Sequence, residues 1–297
     1  MSSPFTHTVG GSGAAAGFTF TGHSNLGEVT IGAGDPLVIA LHGGTYSSQY
    51  FDIPNHSLLD NGAAQGIGVI AIDRPNYLGS SPLTSADGEL IADNAKVIGD
   101  AIGEIFAEYG GDAAGVVLVA HSIGGAIATI IAATPQSWPL LGLATSGCLV
   151  QVPSESAEAW AGLPPIPMID LPVPLKDQLM FGPPDTYDDA MPAASYPSNT
   201  LVPKAELLEI TGVWIERRAE TCAAVKLPVH HRQAEFDHLW VTNQGEVDAY
   251  KAGFTSAAST DIRLQSGTGH CIDFHLPSDE FQNSQLAFAK ASAKAAA

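Results

Sequence analysis

Val117-Leu118-Val119-Ala120-His121-Ser122-Ile123-Gly124-Gly125-Ala126 decides how this chain folds. An apolar run leads into a serine flanked by small residues, and a small-residue helix to Ala133 follows, stopped near Pro135. Such a strand-to-helix turn is sharp and leaves the serine hydroxyl exposed. It presses backbone against backbone, so only tiny side chains fit two positions either side of the serine. Ala120 and Gly124 meet that demand. The N–H of Ile123, at the helix start, points at any oxyanion forming beside Ser122. A helix N-cap serine would read the same way locally, so the surrounding chain has to discriminate.

Upstream, Leu37 to Leu41 and Gly68 to Ile72 repeat the continuous apolar run of Gly115 to Val119, as strands buried on both faces do. Ile91, Ala95, Ile98, Ile102, Ile105 and Phe106 recur at helical spacing between them. Downstream, Leu227 to His231 and Asp261 to Leu264 read as strands, with helices over 203–225, 247–254 and 279–297. The alternation implies an α/β fold, a mostly parallel central sheet flanked by helices. Residues 18–152 and 211–297 form its core. Residues 153–210 are crowded with Pro, aromatic and Met side chains and read as an inserted cap. Residues 1–17, small and polar, read as a flexible leader. Gly11, Gly13 and Gly17 imitate a dinucleotide-binding pattern but lack the preceding strand and following helix. Phe18 to Thr21 alternates like a strand and could pair with Val29 to Ile31 as a hairpin.

The 297 residues carry 12 Lys+Arg against 31 Asp+Glu, a net charge of −19 that excludes a phosphate-gripping nucleic-acid binder and disfavours anionic membranes. No apolar run approaches the roughly 20 residues that span a bilayer. The N-terminus lacks the basic start and apolar stretch of a secretory signal. Cys148, Cys222 and Cys271 are odd in number and widely spaced, as reduced thiols are, so the expected location is cytoplasmic.

Ala120-His121-Ser122-Ile123-Gly124 resembles the nucleophile turn of the α/β-hydrolase superfamily, with Ala120 at the position usually held by glycine. Three further segments fall in the family's chain order. Leu41-His42-Gly43-Gly44-Thr45 resembles the loop that supplies the second oxyanion donor, which the resemblance assigns to the N–H of Gly44, with Thr45 adding contacts. Ala71-Ile72-Asp73-Arg74-Pro75-Asn76-Tyr77-Leu78-Gly79-Ser80-Ser81 resembles the family's D-x-[RP]-x-x-G-x-S segment, whose Asp and Arg brace loops beneath the site. Ser266-Gly267-Thr268-Gly269-His270-Cys271 resembles the loop of the catalytic histidine, favouring His270 over His275. Ala234-Glu235-Phe236-Asp237 resembles the turn of the triad acid, pointing to Asp237, with Glu235 as competitor and Glu155 as a remote one.

The resemblance implies a serine hydrolase acting on an ester, thioester or lactone of a moderately sized apolar small molecule, needing no cofactor or metal. His230 and His231 are adjacent, so on a strand they face opposite ways and do not make a metal site with His238. Trp160, Met180 and Phe181 are candidate pocket walls. A cap that excludes water would equally suit acyl transfer to an internal hydroxyl, forming a lactone. A lyase, a cofactor-free oxygenase or a ligand receptor on the same fold are the readings from other classes. The sequence carries no signal of oligomeric state.

Overall fold

A computed structural model describes residues 2–85 and 89–296; the first residue of the expected leader and the last of the helix expected over 279–297 lie outside the described residues. Eight strands form the central sheet: β1 (Ser3–Thr8), β2 (Thr19–Ser24), β3 (Pro36–Leu41), β4 (Gly68–Ile72), β5 (Gly115–His121), β6 (Leu140–Ser146), β7 (Val229–Phe236) and β8 (Thr260–Gly269). Their spatial order is β1-β2-β4-β3-β5-β6-β7-β8. Every pairing from β4 to β8 is parallel, and β2 runs antiparallel to both its neighbours.

The apolar runs are explained by the two layers they bury. Leu37, Ile39 and Leu41 pack with helices α2 (Leu90–Tyr109) and α3 (Ile123–Ala133). The intervening Val38 and Ala40 pack with α1 (Leu58–Ala64) and the C-terminal helix (Ser278–Ala296) on the opposite face. A strand covered on both sides can place apolar side chains at every position, each worth about 1.5–3 kcal/mol when fully buried.

The N-terminal stretch is not a flexible leader. Ser3–Thr8 is the edge strand, paired in register with Thr19–Ser24, and Phe5, His7 and Val9 are buried on its inner face. The glycine-rich turn after it is tied to α2: Gly10 and Gly11 N–H groups donate to Glu104, and Ala15 N–H donates to Asp100. The hairpin partner expected at Val29 to Ile31 is likewise displaced, because β1 takes that place and those residues form no strand.

Between β6 and β7 lie α4 (Ser154–Ala161), α5 (Val173–Met180), α6 (Met191–Ser195), α7 (Lys204–Thr211) and α8 (Val213–Ala224), with a short pairing of Ile169 to Val202. The helix expected over 203–225 is broken at Gly212, after which α8 packs on α3. No helix among the described residues is long and apolar enough to cross a membrane.

Candidate active site

Ser122 sits between β5 and α3 with φ 54° and ψ −122°, a left-handed conformation rarely adopted by a residue with a side chain. The turn requires Gly124: a Cβ there would lie 2.4 Å from Leu41 O and 2.5 Å from His42 O. Ala120 is buried without difficulty in the core. Because Ile123 opens α3, its N–H has no intrahelical acceptor and sits at the positive end of the helix dipole.

The loop His42-Gly43-Gly44-Thr45 lies against this turn. A Cβ on Gly43 would fall 2.9 Å from Ser122 Cβ, and one on Gly44 2.9 Å from Ile123 Cδ1. Arg74 holds the loop from below, donating from Nε to His42 O (2.9 Å) and from Nη2 to Gly43 O (3.1 Å). His42 Nε2 accepts from Arg74 N–H, so its proton is on Nδ1 and is donated to Gly43 O. Burial, then the Arg74 charge, holds the His42 pKa well below the ordinary histidine range. The guanidinium is itself fully buried. Its charge is met by Glu206 of α7 through two bonds of 2.7 and 2.9 Å, and Tyr77 donates to the same carboxylate. Asp73 accepts from Ser48 N–H and Thr21 Oγ1, bracing the neighbouring loop.

His270 follows β8 and reaches back over the sheet. Its Nε2 is 3.0 Å from Ser122 Oγ and its Nδ1 is 2.8 Å from Asp237 Oδ2. Asp237 follows β7 and also accepts from Gln233 Nε2 and Leu239 N–H, both at 2.8 Å. Its carboxylate is therefore fixed in orientation as well as position. Glu235 turns away to accept from Gly267 N–H, and Glu155 lies exposed in the first turn of α4. His275 lies beyond the loop, where Nε2 accepts from Gly182 N–H and Gly269 N–H while Nδ1–H donates to Cys271 O. His230 packs on Phe288 and His231 on Tyr250, on opposite faces of the sheet. Among the described residues no cluster of His, Cys, Asp and Glu stands where it could hold a metal ion.

Ser122 and His270 line a narrow cavity that opens to the surface. Gly44, Ile123 and Thr45 share its wall, and Trp160 and Met180 close it from the inserted segment. Phe181 does not line it. The chain is extended at Phe181 (φ −95°, ψ 152°), so neighbouring side chains diverge. Its ring instead packs on Tyr187, Phe274 and His275. Sequence reasoning missed Leu207, Ile210, Leu239 and Trp240, which complete the apolar wall. It also missed Gln233, Glu206 and Gly147, the last packed beneath His270 and His121. Only Gly147 carried a local signal, a glycine directly after a buried strand. Among the described residues no Asp, Glu, Lys or Arg side chain lines the cavity.

A doubly flanked parallel sheet with a strained serine turn between strand and helix, a neighbouring glycine loop and an imidazole bridging serine to carboxylate defines an α/β-hydrolase scaffold. Residues 38–281 match the profile of the Alpha/beta hydrolase family, and the chain belongs to that family. No curated protein matches it by sequence. Solved structures similar to it include DcsB in complex with its substrate analogue (15% identity, TM-score 0.66, covering 93% of this chain and 95% of that one). A monoacylglycerol lipase of Paleococcus ferrophilus (20% identity, TM-score 0.61, 88% and 97%) is another. The thioesterase domain from the curacin biosynthetic pathway (16% identity, TM-score 0.57, 98% and 99%) is a third. At these identities the likeness is one of fold.

Proposed function

We propose that the protein is a serine hydrolase that cleaves an uncharged ester, thioester or lactone of a moderately sized apolar molecule through an acyl-serine intermediate. The observation that carries this reading is the continuous chain Ser122 Oγ–His270 Nε2 (3.0 Å) and His270 Nδ1–Asp237 Oδ2 (2.8 Å) at the wall of an apolar cavity. Ser122 attacks the carbonyl while His270 takes its proton, and Asp237 fixes the tautomer and stabilises the imidazolium. The N–H groups of Ile123 and Gly44 receive the oxyanion; losing one such donor costs about 100- to 1000-fold in kcat. His270 then protonates the leaving group, and water takes the acyl chain.

Residues 153–210 act as the cap, with Trp160 and Met180 against the substrate. Among the described residues the walls hold no carboxylate, ammonium or guanidinium, so a charged acyl or alcohol part would enter without a partner. The relatives named as lipase and thioesterase act on ester-type bonds by their names, in keeping with this class. Three buried, unbridged cysteines suit a reducing, cytoplasmic setting.

Intact-protein mass after incubation with a fluorophosphonate, with peptide mapping and Ser122→Ala as control, tests the reading. A single adduct on Ser122 is expected, followed by turnover of neutral esters. A folded protein that takes no adduct from a probe small enough to enter would refute it. Product analysis on a hydroxy-ester then separates hydrolysis from ring closure.

A further inference from the structure

Gly43 and Gly44, in the loop beside Ser122, have no Cβ to restrict their backbone, so the loop depends on what grips it at either end. Its upstream end is clamped from the core: Gly43 O accepts from Arg74 Nη2 and His42 Nδ1. Its downstream end is clamped from the inserted segment. Thr45, directly after Gly44, has φ 64°, a conformation costly for a β-branched residue and kept only where the surroundings impose it. Thr45 O accepts from Lys176 Nζ of α5 and from Thr200 N–H at 3.0 Å. The ammonium also lies 3.5 Å from the ring centroid of Tyr46. One side chain thus grips two consecutive residues that line the cavity.

The charge of Lys176 is what calls for an account. The residue is 2% exposed, and its third contact is the neutral Asn199 Oδ1. Asp170 and Asp177 act on it only at a distance, and among the described residues no carboxylate bonds it. A buried ammonium without a carboxylate is costly, and a methionine of the same length would fill the space without that penalty. What the charge supplies is strength. A charge-assisted bond is about twice as strong as a neutral one, and the Tyr46 face attracts the cation as well. Thr200 alone would hold the Thr45 carbonyl through a single neutral bond.

We propose that Lys176 is a positioning residue for the oxyanion loop: its ammonium holds Thr45 in the left-handed conformation and so keeps Gly44 N–H directed at the cavity. The proposal rests on the acyl-serine reading. Without the ammonium, Thr45 relaxes towards the extended region, its carbonyl turns, and the loop at Gly44 shifts with it. Lys176 touches no substrate and exchanges no proton. Its loss weakens the transition state, where Gly44 N–H meets developing charge, and spares the neutral ground state. So kcat falls and KM holds.

The test uses 4-nitrophenyl butyrate and an oxyanion mimic, hexyl trifluoromethyl ketone. Ser122 Oγ adds to the ketone carbon, the carbonyl π pair moves onto oxygen, and the Ser122 proton passes to His270 Nε2. Wild type, Lys176→Met and Lys176→Gln are compared, with kcat expressed per site titrated by fluorophosphonate and with a thermal melt of each. Methionine keeps the length and removes both charge and donors; glutamine keeps a donor and removes the charge. A misplacement of about 1 Å costs about 100-fold, so Lys176→Met is expected to lose about tenfold or more in kcat, with KM within about twofold. The Ki of the ketone should rise by a like factor, because the adduct carries the oxyanion. Lys176→Gln should show the same pattern with a smaller loss. A merely structural role would lower the titrated fraction or the melting temperature and leave Ki unchanged. A kcat within about threefold of wild type in Lys176→Met, a loss confined to KM, or a kcat loss without a matching rise in Ki would each overturn the proposal. If Lys176→Met does not fold, Lys176→Gln carries the same comparison, and wild-type kcat and Ki in that variant overturn it. Titration of the wild type separates the two ideas: a reactive Ser122 with no Lys176 effect removes only the positioning role, whereas an unreactive one removes the hydrolase reading.

Discussion

Gly147 is the residue whose smallest change should be felt most at the His270 imidazole. It follows β6 with φ 65°, and a Cβ built there would lie 2.9 Å from both His121 Cε1 and His270 Cε1. Ordinary van der Waals contact begins at 3.4 Å, so Gly147→Ala demands about half an ångström of retreat. His121 is held by its stack on Tyr50, at 4.7 Å and 7°, and by its bond to Ser146, so His270 gives way. Its 3.0 Å approach to Ser122 then lengthens towards the limit of a useful hydrogen bond. A 1 Å misplacement costs about 100-fold, so a fall of about tenfold or more in kcat is expected. The left-handed backbone adds about 1–2 kcal/mol of destabilisation, a drop of about 2–3 °C in melting temperature for a chain of this length. Gly66→Ala is the control, with φ 70° and nothing within 4 Å of its Cβ. Steady-state kinetics and thermal melts of both variants decide the matter. Wild-type kcat in Gly147→Ala, or an equal loss in Gly66→Ala, would refute the reasoning.

Asp237→Asn should lower kcat by about 10⁴-fold through the wrong histidine tautomer, whereas Glu235→Gln should stay near wild type; the reverse ranking in the same ester assay would reassign the acid. Glu206→Gln leaves the Arg74 guanidinium buried without a counter-charge, so a loss of about 3–5 kcal/mol is expected in denaturant titrations, and an unchanged midpoint would contradict the bracing role. Burial holds the pKa of His275 down to about 4 and those of His230 and His231 down to about 3, against an ordinary 6.5. Between those values the unfolded chain binds protons that the folded chain does not. The stability they contribute is complete above about pH 6.5 and is lost as pH falls towards 3, at up to about 1.4 kcal/mol per unit per histidine. Melting temperature should therefore fall steeply below pH 6, less steeply in His275→Asn; parallel curves would refute the assignment for His275. Finally, a short neutral thioester should be cleaved at least 100-fold more efficiently in kcat/KM than the same acyl group on a polyanionic carrier, and equal efficiencies would contradict the uncharged cavity.

What was legible in the sequence was whatever a local pattern could carry. Apolar runs marked β3, β4 and β5 because both faces of each are covered, and small residues marked the nucleophile turn because backbone packs on backbone there. Chain order singled out His270 and Asp237, which the fold brings together with Ser122. The ends of β7 and β8 ran past the expected limits because Arg232 and Gln233 are polar although paired in the sheet, and Ser266 to Thr268 lie in β8 across a register shift. Ser3–Thr8 was missed for a different reason. Its glycine-rich sequel is ordered by Glu104 and Asp100, roughly ninety positions away, and no short window contains both halves of that contact. The same limit hid Glu206, whose partner Arg74 lies 132 positions earlier, and separated Met180 from Phe181, neighbours in sequence that face different surroundings.

Those long-range contacts also show that the inserted segment is bound to both halves of the site. On the oxyanion side, Glu206 meets Arg74, which holds His42 and Gly43, and Lys176 reaches the Thr45 carbonyl. On the histidine side, Cys271 N–H donates to Met180 O, and His275 gathers N–H groups from Gly182 and Gly269 onto one nitrogen. The fit at Gly269 is tight enough that a Cβ would come 2.3 Å from Gly182 N. Separating α5 or α7 from the core would break charge-assisted bonds or expose a buried ion pair, each costly. By contrast, α4 buries only Trp160, so its displacement exposes far less. Changes along 170–210 should therefore reach the loops of Gly43 and His270 themselves, whereas changes on the exposed face of α4 should act on the cavity through Trp160 alone.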